Sequence, residues 1–156
     1  MVEFHCTFPN GTVFQAYLQA DGAVVTTVEN GASGSWLTEG EKWGWGGSLD
    51  MREYNILIDS PKQGIKGTFG LKSRAPAHYP CGPAEGATNM MVGPNIGWSN
   101  AVPDADGLVD FVLGGSEFAW EGIAYHDKAI SFLIFMKTSA LTFDSRIGAT
   151  SRSLRM

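Results

Sequence analysis

Tyr125-His126-Asp127-Lys128 is a run of four side chains that can each donate, accept or carry charge. It closes the alternating stretch "GIAYHDK" and is followed at once by the apolar "AISFLIFM". An imidazole beside a carboxylate suits general-acid work, or the holding of a substrate carbonyl by a hydrogen bond. Adjacent strand residues point to opposite faces. The spacing therefore predicts Tyr125 and Asp127 on one face and His126 and Lys128 on the other, so His126 and Asp127 would not address one substrate together. The plain alternative is a solvated strand end. In "GWSNAVPDAD" (97–106), Trp98 and Asn100 lie two apart and share a face on extended chain. An indole beside a carboxamide can hold a flat, polar-headed apolar ligand. The same pair reads equally as a core Trp and an Asn bonded to loop backbone. Asp104 and Asp106 follow a proline and read as turn or cap residues. In "APAHYPCG" (75–82) the proline spacing predicts a rigid loop with a structural His78, and Cys81 has no adjacent base to make it a nucleophile.

Several function classes are disfavoured at this level. There is no nucleophile elbow and no phosphate loop. Two cysteines and three scattered histidines lack zinc-ligand spacing. The expectation is therefore no metal. A net charge of −5 without a Lys/Arg cluster argues against nucleic acid and against anionic membranes as partners. The start, "MVEFHCTFPNG", lacks the basic and apolar regions of a signal peptide, and the apolar run 130–136 falls far short of the ~20 residues of a spanning helix. A cytoplasmic protein with reduced thiols is expected.

The elements that must position these residues are strands. The 156 residues suffice for one domain with a core, and 20 glycines without clustered helix formers favour short strands and tight turns. The dominant period is two. Runs 2–8 and 12–19 flank the turn "PNG", and "ADG" (20–22) predicts a hairpin into "AVVTTV". "NGASGS" (30–35) reads as a loop. Tyr54, Ile56 and Ile58 alternate with polar residues, as do Ile65, Phe69 and Leu71. Residues 74–95 hold four prolines and read as a long loop of the kind that often carries function. "GLVDFVL", "GGS" and "EFAWEGI" form a hairpin. The fold class implied is all-β, an antiparallel barrel or sandwich that can enclose an apolar pocket for one small ligand. Residues alone take the reading as far as "binds something apolar".

The blocks "WGWGGSLDMREYNILIDSP", "GIKGTFGLKSRAPAHYPCGP", "GWSNAVPDADGLVDFVLGG" and "GIAYHDK" together resemble the fungal lipocalin-like Diels–Alderases, relatives of carotenoid hydratases of the hydroxyneurosporene synthase type. The likeness runs from about Val2 to Lys128. It implies one lipocalin-like β domain of a two-domain family, with the substrate pocket between the domains. It implies a cofactor-independent pericyclase that folds a linear polyene with a tetramate or pyrrolinone head for a stereoselective intramolecular [4+2] cycloaddition, leading to a decalin or, with a slight preference, a cytochalasan-type product. Position in the shared blocks makes His126 or Asn100 the donor to the dienophile carbonyl. Trp98, Tyr125, Trp45 and Asp127 become substrate-binding residues. The alternatives are an alkene hydratase using Asp127 or His126, and an inactive truncated remnant that binds an apolar ligand.

The resemblance also has a limit. In the family the "YHDK" block continues with Asn-Trp-Gly and a second domain, whereas here it meets "AISFLIFMKTSALTFDSRIG". The expected organisation is a β domain over 1–128 and an atypical tail over 129–156, foreign to the family and disordered from Thr150. The chain start, within a strand, suggests that earlier family sequence is missing. A second chain completing the pocket is the corresponding partner expectation.

Overall fold

The structure is a computed structural model that describes residues 2–80 and 89–131, together with the backbone of 82–83; of 130 and 131 only the backbone is described. Expectations about Cys81 and about the tail beyond Ser131 lie outside the described residues.

The described chain is antiparallel sheet throughout, interrupted by one 3-10 turn at Pro61–Gln63. Strands β1 (Val2–Thr7) and β2 (Val13–Leu18) form a separate two-stranded sheet around the "PNG" turn. The main sheet runs in order through β3 (Gly22–Val28), β4 (Gly31–Leu37), β5 (Lys42–Ser48), β6 (Glu53–Ser60) and β7 (Ile65–Ser73) to β11 (Ile96–Leu113) and β12 (Ser116–Ser131). Three short strands, β8 (His78–Tyr79), β9 (Gly82–Pro83) and β10 (Met91–Gly93), break up the proline-rich segment and join the sheet at the N-terminal end of β11. The sheet curls into a half-barrel.

Three expectations are corrected here. "ADG" does not close a hairpin: β2 and β3 belong to different sheets, and the Asp21 N–H donates to the Leu37 carbonyl instead. "NGASGS" is not a loop but the larger part of β4, paired along its length with β3 and β5. Asp104 and Asp106 are not turn residues. They lie within β11, where both carboxylates meet Arg74. Pro103 is tolerated there because the register slips on both sides of Val102, and a bulge leaves a position without a required ladder N–H. Strand β12 also continues past Lys128, pairing Ala129 with Trp98 and Ser131 with Ile96.

Register fixes which side chains share a face. Trp43 pairs with Ile58 and Trp45 with Ile56; Ile56 and Val109 both pair with Phe69. Val109 then pairs with Trp120, Ala105 with Ala124 and Val102 with His126. These residues form the inner face. The β1–β2 hairpin covers one half of it, setting Ala16 and Leu18 against Trp43, Ile58, Ile65, Phe111 and Leu113. Phe4 packs on Phe111 with ring centroids 5.1 Å apart, and Phe8 stacks on Phe118 at 4.6 Å. Burying side chains of this size stabilises by roughly 1.5–3 kcal/mol each, which fixes the hairpin across the sheet. The other half of the face holds a second cluster, Tyr54, Leu71, Val102, Ala105 and Ala124, with Trp45 and Met51 against it.

Candidate functional site

Two of the expected site residues, Trp45 and His126, are linked through Tyr54 of that second cluster, a residue not singled out from sequence. Tyr54 stacks on Trp45 at a centroid distance of 5.6 Å and 15° between planes, and on His126 at 4.6 Å and 26°. Strands β6 and β12 are separated in the sheet by β7 and β11. On a flat sheet three strand spacings would hold their backbones roughly 14 Å apart. The two rings touch because the sheet curls, so the stack crosses the bore.

The sequence makes room for these rings locally. Trp45 pairs with Gly34, and a Cβ at Gly34 would lie inside the indole. Tyr54 pairs with Gly47, where a Cβ would stand 2.7 Å from the phenol ring. Both aromatic side chains therefore lie down across a neighbouring strand. This is why "GWGG" and "SGS" are rich in small residues.

His126 is 5% exposed. Burial holds its pKa down, from 6.5 to about 4; the nearby Asp127 charge opposes this and Lys128 adds to it. At neutral pH the imidazole is uncharged, and one ring nitrogen carries a proton it can donate. Burial also pushes the Tyr54 phenol well above its usual range, so it stays protonated.

Asn100 lies on β11 opposite His78. Between the pairs Ser99–Lys128 and Val102–His126 three residue steps on β11 face two on β12, so Asn100 sits in a bulge. Its Oδ1 is buried and has no hydrogen-bond partner among the described residues. An unmet buried acceptor costs about 1–3 kcal/mol, which a ligand hydroxyl or N–H would recover.

Trp98, Tyr125 and Asp127 form a separate group on the opposite face of β12. The Trp98 indole N–H donates to Asp127 Oδ2 at 3.1 Å, and the Tyr125 hydroxyl donates to the same oxygen at 3.2 Å. Burial first, and Asp127 second, push the Tyr125 phenol pKa up, which keeps it a donor. The expected site set is thus split by the pleat. Trp45 and His126 are brought together, while Trp98, Tyr125 and Asp127 are brought together elsewhere with their polar groups engaged on one another. A concavity of about 730 Å³ over the outer face, lined by Asn55, Lys72, Leu108 and Ile123 among others, does not reach the ring stack.

No group of three or more His, Cys, Asp or Glu side chains among the described residues is placed to hold a metal ion. No helix among them is long and apolar enough to cross a membrane.

Comparison with known proteins supplies the family. The chain is 35% identical over 127 residues to the quinolone epoxide rearrangement protein asqO of Emericella nidulans, covering 81% of this chain and 34% of that protein. It is 29% identical over 123 residues to the Diels-Alderase cheD of Chaetomium globosum, covering 77% of this chain and 28% of that one. The chain thus spans about a third of the length of the curated relatives it matches. The crystal structure of CghA with Sch210972 superposes with a TM-score of 0.59 at 23% identity, over 80% of this chain and 35% of that one, which shows a shared fold. The sequence profile of the Diels-Alderase-like family matches residues 1–142, running past Lys128, and the chain belongs to that family.

Proposed function

We propose that this chain forms one wall of a cofactor-independent isomerase site, and that its reaction is an intramolecular [4+2] cycloaddition of a linear polyene with a polar, carbonyl-bearing head. The observation that carries the reading is the Trp45–Tyr54–His126 stack crossing the bore. A flat aromatic surface folds an apolar chain, and a neutral imidazole at its end donates a hydrogen bond to a carbonyl. Holding diene and dienophile in a near-attack geometry lowers the entropic part of the barrier. A pre-placed donor to the dienophile carbonyl contributes on the order of 3 kcal/mol in a dry site. His126 takes the donor role, and the Asn100 amide binds the head group.

Family membership and the named Diels-Alderase relative support this reading. A hydratase route would require an imidazolium at His126 or a protonated carboxyl at Asp127 next to the double bond; burial favours the neutral His126 ring, and Asp127 lies away from the stack, accepting from Trp98 and Tyr125. The substrate is a polyketide–amino acid polyene with a tetramate or pyrrolinone head, of cytochalasan or decalin type. The group Trp98–Tyr125–Asp127 fixes the strand end beside this wall, and the remaining wall comes from a further domain or a second chain.

A second reading has its own support. The relatives at 35% and 33% identity are both quinolone epoxide rearrangement proteins. Opening an epoxide on a flat quinolone also needs an aromatic platform and a hydrogen-bond donor, and it also conserves mass. The test is to give the protein a linear tetramate polyene and, separately, a quinolone epoxide. The first reading expects one cycloadduct diastereomer in excess from the polyene and loss of that excess in His126→Ala. Turnover of the epoxide alone would replace it with the second.

A further inference from the structure

Tyr54 is the middle ring of the stack and is 3% exposed. Its strand partners are Gly47 on β5 and Leu71 on β7. A Cβ at Gly47 would come within 2.7 Å of Tyr54 Cδ2 and 3.5 Å of Cε2, so the absence of a side chain there sets how the ring lies. The imidazole of His126 comes from a strand that does not pair with β6, and it meets the phenol nearly face to face at 4.6 Å. Across the β11–β12 ladder its register partner is Val102, which is apolar and fully buried.

We propose that Tyr54 is a positioning residue: seated on Gly47, its ring fixes the orientation of the His126 imidazole across the bore. The importance of that orientation for catalysis rests on the reading above that His126 is the donor; the contact itself does not. A ring lying flat on an imidazole restricts rotation about its terminal side-chain bond, a torsion that is otherwise broad. It also keeps water from one side of the imidazole, which disfavours the imidazolium. The face of a phenol attracts a cation and acts in the opposite sense. Burial is the largest influence on His126 and wins. Among the described residues, the other ionisable groups acting on the imidazole are Asp127 and Lys128, its neighbours on β12, and their effects oppose one another. The phenol remains neutral because its own ionisation is suppressed by burial.

The test is an NMR titration of the His126 imidazole in the full 156-residue chain, with the signals assigned by His126→Asn. Tyr54→Phe keeps the ring and is expected to keep both the upfield ring-current shift of the imidazole protons and a midpoint near 4. Gly47→Ala leaves both rings present but displaces Tyr54. It is expected to reduce the upfield shift and raise the midpoint towards 6.5. Tyr54→Ala admits water beside the imidazole and should raise the midpoint in the same way; whichever of these two variants folds decides. An unchanged midpoint in a folded Gly47→Ala or Tyr54→Ala protein would overturn the proposal. So would a rise in Tyr54→Phe as large as in Tyr54→Ala, which would assign the effect to the hydroxyl. The readout needs no substrate, so a failed cycloaddition assay would count against the functional reading and leave this one standing.

Discussion

Acidification should unlock this domain through His126. The folded protein holds the imidazole at a pKa of about 4, against 6.5 for the free side chain. The unfolded chain therefore binds the proton more readily. Stability attributable to this residue is complete above 6.5 and is lost as pH falls from 6.5 towards 4. At about 1.4 kcal/mol per pH unit, the full difference amounts to roughly 3 kcal/mol. Between pH 7.5 and pH 5 roughly 2 kcal/mol of it should disappear. A native domain has only about 5–15 kcal/mol in total, so the loss is measurable. The assay is urea unfolding at pH 7.5 and pH 5 for the wild-type protein and for His126→Phe, which keeps an aromatic ring in the stack but cannot titrate. The 16 carboxylates are common to both proteins and cancel in the comparison. The wild type should lose about 2 kcal/mol more than the variant. Equal losses would refute the reasoning, because they would mean that the buried ring pays no penalty for its charge.

Three further outcomes follow from the packing. Phe111→Ala should cost about 3–5 kcal/mol in urea unfolding, because it removes the ring on which Phe4 of the hairpin packs; hydrogen exchange in β1 and β2 should rise more than in β6. Asp127→Ala strands two donors, the Trp98 indole and the Tyr125 hydroxyl, and should lower stability by about 1–3 kcal/mol, whereas Asp127→Asn retains an acceptor and should cost less. Gly34→Ala drives a methyl into the Trp45 indole and should destabilise by about 1–3 kcal/mol, with a change in tryptophan fluorescence.

What was legible in the sequence was local. The alternation in β6 and β7 and the hairpin of β11 with β12 read directly from period two, because their partners lie next to each other in the chain. The same rule separates His126 from Asp127. The failures came where a residue type has two physical causes. "NGASGS" looked like a loop because small residues are common in turns, but Gly34 is small to admit an indole from the next strand. Asp-Gly at 21–22 looked like a hairpin turn, yet the hairpin β1–β2 lies across the apolar inner face instead of extending the sheet. Pro103 suggested a turn where a bulged strand accommodates it. Tyr54 was seen as one more half-buried strand residue. Its contact with His126 depends on the curl of the sheet, and no spacing along the chain reports that.

The role proposed for this wall is to assist an isomerisation of an apolar polyene by orientation and a neutral donor. The most direct measurement is the mass and deuterium content of the product formed from a linear tetramate polyene in heavy water. The expected result is a cycloadduct of unchanged mass, with no deuterium on the reacting carbons, formed as one diastereomer and faster than without the protein. Deuterium on a former alkene carbon, or a product one water heavier than its precursor, would contradict it.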